Sequence, residues 1–174
     1  MLSNLEMILL TVGSIFTTPI MNICNFTNGE DGLDYYAEVH LSSWNSCVHT
    51  IGMPFTFYGI SCWVPPLFNL SNKNMNKMQL YLWYLIFMHY ISINFFSGLF
   101  CTLFYVYPMI LAYGMVKTSS SKWLLFKHGM IYSVLALVVQ EYFGHYLGGD
   151  DLSRIEAIPN AIAYSVYYST YHLV

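Results

Sequence analysis

Between Leu80 and Val116 the chain runs for 37 residues without a single Lys, Arg, Asp or Glu. As one α-helix that run would measure ~55 Å, nearly twice the ~30 Å of hydrocarbon in a bilayer. Two antiparallel helices are the economical reading, with the bend near Ser97-Gly98 where small residues relax the backbone. One long tilted helix plus a re-entrant piece also fits.

The rest of the chain is of the same kind. Hydrophobic residues make up 56% and charged residues 9% of 174 positions, against about a quarter charged in an ordinary soluble chain. Too few ionisable groups exist to cover a water-soluble globule. The expected architecture is therefore all-α, a polytopic membrane helix bundle of about four to five transmembrane helices plus short interfacial ones. Ile51–Leu70, interrupted near its end by Pro65-Pro66, gives a first crossing; 80–96 and 98–116 give two more; Trp123–Leu147 gives a fourth. A shorter segment, Ile158–Val174, sets Tyr164, Tyr167, Tyr168 and Tyr171 on one helical face, the pattern of a packing stripe or interface belt. Residues 1–27 form an uncertain N-terminal apolar segment, with Glu6 and Pro19 and no Lys or Arg ahead of it as a secretory signal has. Residues 28–174 read as a single helical domain.

Several functions are excluded. A net charge of −3 leaves no basic stripe for nucleic acid. Cys24, Cys47, Cys62 and Cys101 are scattered, with no Cys-x-x-Cys pair. Neither a Gly-x-Ser-x-Gly elbow nor a phosphate-cradling Gly-rich loop occurs. His-Glu-x-x-His and the tight histidine clusters of membrane lipid desaturases are absent too.

Six histidines remain to be explained in a chain where ionisable groups are costly. His89 reads as a core histidine satisfied by a backbone or tyrosine oxygen, and His128, beside Lys127, as interfacial. His40, Asn45 and His49 stand together ahead of the first crossing. Asn45 and His49, four apart, share a helical face, but His40 and His49, nine apart, lie ~180° around an unbroken helix. They can meet only if the chain breaks between them, and Ser42-Ser43 is the plausible place. At the far end Glu141 and His145 are again four apart. Such a pair can bind a metal jointly, or the carboxylate can fix the imidazole tautomer. With four crossings, His40, His49 and His145 share one membrane face, and Lys73, Lys77, Lys117 and Lys122 lie at the other. The positive-inside tendency then puts that lysine face in the cytoplasm, whereas a single crossing by the 37-residue run would undo the assignment, so the sequence leaves sidedness open.

Two groups of residues resemble the small membrane-embedded 2-hydroxy fatty acid dioxygenases. The first is Tyr36, His40, Asn45, His49, Gly52 and Pro54; the second is Gly144-His145 followed by an acidic stretch, Glu156, Pro159 and Ala161. Together they bracket about residues 34–165. Two departures stand out. Glu141 occupies the place four before His145 where the family carries Gln, with Gln140 one place earlier. The family's Glu shortly after that histidine is replaced by Gly148-Gly149-Asp150-Asp151, leaving the carboxylate partner unassigned.

The resemblance implies Fe²⁺ held by His40, His49 and His145, with His172 preferred over His128 as a fourth imidazole. Asn45 and Glu141 join the candidate catalytic set, Asn45 as a hydrogen-bond partner of the ligands. It implies oxidative removal of one carbon from a long-chain 2-hydroxy fatty acid with O₂, in the endoplasmic reticulum. Two other readings remain: a non-enzymatic lipid-binding or scaffold protein, and a zinc-dependent membrane hydrolase.

Overall fold

The computed structural model describes residues 36–38, 40–151 and 165–168. Every element within them is helical: α1 (Ser43–Leu67), α2 (Asn72–Ile93), α3 (Phe95–Thr118) and α4 (Lys122–Val139), the last continuing into a π-helical segment, Gln140–Tyr146. Residues 1–27, His172, and Tyr164 and Tyr171 of the final tyrosine stripe lie outside the described residues.

Helix α1 starts where the Ser42 hydroxyl accepts the Asn45 backbone N–H, an N-cap that satisfies one of the orphan donors of the first turn. It then runs through Pro54, Pro65 and Pro66 to Leu67 rather than being broken by the proline pair. Pro65 has no N–H to give the carbonyl four residues back, at Ser61. Gln79 of α2 supplies the missing donor: its buried Nε2 donates to Ser61 O at 2.9 Å and to Ala112 O of α3 at 3.0 Å. One amide thus ties three helices together at the level of the prolines.

The uncharged run folds as a hairpin, and its bend falls at Asn94 rather than at Ser97-Gly98. The Asn94 side chain accepts the Ser97 N–H and so starts α3. Gly98 serves packing instead, because a Cβ there would overlap the Tyr90 backbone. Further down the hairpin Tyr90 and Tyr105 join their hydroxyls at 3.0 Å.

Helices α1 and α4 run antiparallel at backbone contact. A Cβ on Gly129 would lie 2.6 Å from Gly59 O and from Trp63 N, the close approach that small residues allow between helices in lipid. The core is aromatic where α1, α2 and α3 meet: Phe57, Trp83 and Tyr105 stack edge to face, with ring centroids 4.6–6.1 Å apart.

Among the described residues, two helices are long and apolar enough to cross a membrane, Phe95–Thr118 and Lys122–Tyr146. Only 22% of the most apolar window of the second is buried. Leu124, Ile131, Val134, Leu135 and Val138 face outward, so α4 turns its apolar side away from the protein, the reverse of a helix in a water-soluble core.

Candidate metal centre

At one end of the bundle three buried imidazoles from distant parts of the chain converge. His40 comes from just ahead of α1, where its N–H bonds back to Ala37 O, His49 from the second turn of α1, and His145 from the π-helical segment. Their exposures are 2%, 2% and 0%. One nitrogen from each lies within 4.8 Å of the others, forming a group able to hold a metal ion. The break that lets His40 meet His49 is at Ser42–Ser43, where α1 begins.

The individual nitrogens fit the role. His40 Nδ1 donates to Tyr36 O at 2.8 Å, which leaves Nε2 as the lone-pair nitrogen. That Nε2 is buried and has no hydrogen-bond partner. Burial lowers the His40 imidazole from its usual 6.5 to about 4, against the opposing pull of the Tyr36 carbonyl, so the ring is neutral, the form that binds metals. The Tyr36 ring stacks on His40, centroids 3.7 Å apart and 17° from parallel, and covers it. His49 Nε2 and His145 Nε2 are 3.2 Å apart. Two nitrogens bonded to one ion at ~2.0–2.1 Å, at angles between square and tetrahedral, are about 2.8–3.4 Å apart. An orphaned lone pair on His40 and this short separation both suit a bound cation.

Around the ligands lies a ring of polar support. Asn45 Nδ2 is 3.2 Å from His145 Nδ1 and donates to Asp150 Oδ2 at 2.8 Å. The same carboxylate oxygen accepts the Ser42 backbone N–H at 3.1 Å, at the positive end of α1 where a negative charge is favoured. Asn45 thus bridges the Asp150 carboxylate and the His145 ring, while His145 Nε2 faces His49 Nε2.

The π-helical segment decides which side chains face the histidines. In an α-helix residues five apart diverge by about 140°, yet Gln140 and His145 are both buried. The wider π turn brings them onto one inner face. Gln140 Nε2 donates to Thr56 Oγ1 and Ala136 O, both at 2.9 Å, and its side chain also acts on His49. Trp44 Nε1 donates to Phe143 O at 2.6 Å and so clamps the segment to the start of α1. Gly144 permits the approach: a Cβ there would stand 2.6 Å from Asn45 Oδ1 and 3.4 Å from the His49 ring.

Of the residues singled out in the sequence, His40, Asn45, His49 and His145 come together. Glu141 lies on the π-helical segment, half-buried, outside the group of three ligand atoms; its charge reaches the Tyr36 phenol. His128 is elsewhere, its Nε2 2.6 Å from the Tyr58 hydroxyl. It is 17 residues before His145, or about 25 Å along the helix. His89 is buried beside Tyr90. The sequence reading missed Asp150 and Gln140. An acid that must pack against the Ser42 N-cap, and a Gln one residue out of α-helical phase with His145, were the signals for them. No protein-family model, no curated protein and no solved structure matches the chain.

Proposed function

We propose that the chain is an integral membrane metalloenzyme whose His40, His49 and His145 hold one Fe²⁺ ion, and that it oxygenates a long-chain 2-hydroxy fatty acid and removes one carbon from it. The convergence of the three buried imidazoles from both ends of the chain carries this reading. The membrane part rests on the two long apolar helices and the outward apolar face of α4. Crossings by α1 and α2 would complete a four-helix bundle with the histidines at one membrane face. The dioxygenase assignment and a location in the endoplasmic reticulum rest on the resemblance.

The two departures from the family pattern have a physical explanation that favours it. One extra residue in the helix before His145 is what a π turn absorbs, and it returns Gln140 to the inner face that a Gln four places before the histidine would take in an α-helix. Asp150, reaching back to Asn45 and Ser42, stands as the acid that the sequence left unassigned.

Bound iron would supply the redox chemistry with O₂ that side chains lack. The protein's residues do the rest. Tyr36 O holds His40 in the Nδ1–H tautomer. Asn45 and Asp150 orient His145. The Tyr36 ring and the close approach of Gly144 keep the ligand nitrogens out of bulk water. Three imidazoles leave further positions on an ion free, and a 2-hydroxy acid offers two oxygens, its hydroxyl and carboxylate, to fill a pair of them.

The test is metal analysis of anaerobically purified protein, followed by O₂ uptake and product analysis with a 2-hydroxy C16–C24 acid as the chosen probe. Stoichiometric iron with O₂-dependent formation of the acid one carbon shorter is expected. Bound zinc with no O₂ uptake would turn the reading to a hydrolase, and no bound metal would turn it to a lipid-binding protein.

A further inference from the structure

From Leu41 through Gln140 the chain contains no Asp or Glu, yet it carries Lys73, Lys77, Lys117, Lys122 and Lys127. Two of these have partners: Lys122 Nζ donates to Asn69 Oδ1 at 2.8 Å, and Lys127 lies 5.2 Å above the Trp123 ring. The other three surround a recess of about 430 Å³ at the open end of the α2–α3 hairpin, opposite the histidines, completed by Asn72, Asn76 and Tyr113. Three cations thus face one hollow, and the stretch from Leu41 through Gln140 that builds it holds no acid to neutralise them.

Three further features point to an anion with an apolar tail. Helix α2 begins in the recess without a side-chain cap at Ser71 and without an acid in its first turn. Its leading N–H groups and the positive end of its dipole therefore face the hollow. Asn76 is only 7% exposed and spends its Nδ2 on Tyr113 O at 3.4 Å, while its buried Oδ1 has no partner, an unmet polar group that a ligand can satisfy. Finally, Leu80 borders both this recess and a second hollow of about 300 Å³ between α2 and α3, walled by Trp83, Ile86, Tyr105, Val106 and Met109. The cationic end and the apolar groove meet at Leu80, in the order of a lipid's headgroup and acyl chain.

We propose that recess and groove together bind one anionic phospholipid. Lys73, Lys77, Lys117 and the start of α2 hold its phosphate, as basic pockets between membrane helices do. Asn76 Oδ1 accepts from a headgroup hydroxyl, and an acyl chain lies along the groove from Leu80. An inositol-type headgroup meets each requirement; choline brings a compensating cation and no hydroxyl. The site rests on the membrane reading and is independent of the metal centre, from which it is separated by the length of the bundle.

The experiment is native mass spectrometry of the full chain in non-ionic detergent, titrated with phosphatidylinositol, phosphatidylcholine or soluble inositol phosphate. Phosphatidylinositol is expected to be retained as a 1:1 adduct in preference to phosphatidylcholine. Each Lys→Gln change at 73, 77 or 117 should weaken it ~fivefold, and all three together roughly a hundredfold, on the basis of the attraction of one lysine to an anionic surface. Lys122→Gln should leave binding unchanged. Val106→Trp, which fills the groove, should weaken the lipid while leaving inositol phosphate unaffected. Equal retention of the two lipids, full binding by the triple variant, or competition by inositol phosphate as effective as that of the lipid would each overturn the proposal.

Discussion

His49 Nε2 and His145 Nε2 lie 3.2 Å apart although 96 residues separate them in the chain. Two like imidazoles desolvated at that distance need either a shared proton or a shared cation, since two facing lone pairs repel. Neither helix could hold its ring there alone. Gly144 lets the π-helical segment approach α1, and Trp44 fastens the two.

Removing a ligand should remove the ion. His40→Ala, His49→Ala and His145→Ala are each expected to take the protein from about one transition-metal ion per chain to almost none, measured by elemental analysis after gel filtration. Circular dichroism should show the helices retained, because each ring sits at an end of the bundle rather than in its aromatic core. A full metal complement in His49→Ala would sink the assignment.

The supporting groups should tune affinity without abolishing it. Asn45→Ala and Asp150→Ala are expected to weaken metal binding 10–100-fold, the range typical of hydrogen bonds that orient a ligand. A competition titration with a chromophoric chelator checks this. Asp150→Asn should recover part of the loss, because its amide oxygen can still accept from Ser42 N–H and Asn45. An unchanged affinity in both alanine variants would show that the chain of bonds from Asp150 to His145 has no hold on the ion.

Gln140 and Glu141 should behave differently despite being adjacent. Gln140→Ala opens a space beside His49 and strips Thr56 Oγ1 of its donor, so weaker metal binding and lower thermal stability are expected. Glu141→Gln should keep the metal content of the wild type, since Glu141 lies outside the three-histidine group. The reverse ranking by the same titration would place the carboxylate, and not the amide, at the centre.

Gln79→Leu tests the joint at the prolines. It leaves Ser61 O, already deprived of a helical partner by Pro65, buried without a donor. The cost is expected to be about 1–3 kcal/mol, read as a lower midpoint in thermal unfolding in detergent, with metal content unaffected at the distant end. No change in the midpoint would mean that the carbonyl finds another donor.

Much of this was legible in the residues. The charge-free run from Leu80 to Val116 forced helices, because only a backbone that satisfies its own hydrogen bonds tolerates apolar surroundings, and its length required a bend. The nine-residue spacing of His40 and His49 required a break, and Ser42, a good N-cap residue, marked it. The position of the bend was less legible: Ser97-Gly98 and Asn94 are all plausible punctuation, and the choice fell to Asn94 because its side chain caps α3 while Gly98 is consumed by contact with Tyr90.

What the sequence determined by itself was local: which stretches are helical, where an imidazole can be afforded, and that no straight helix could bring the histidines together. What only the tertiary structure decided was phase and neighbourhood. A π turn depends on the energy of packing against α1 and not on the propensity of Gln140–Tyr146, so the exchange of Glu141 for Gln140 on the inner face could not be read along the chain. Asp150 likewise becomes a partner of Asn45 only after α1 and α4 have packed at Gly59 and Gly129, because a hydrogen bond across 105 residues exists only once the helices that carry its ends have met.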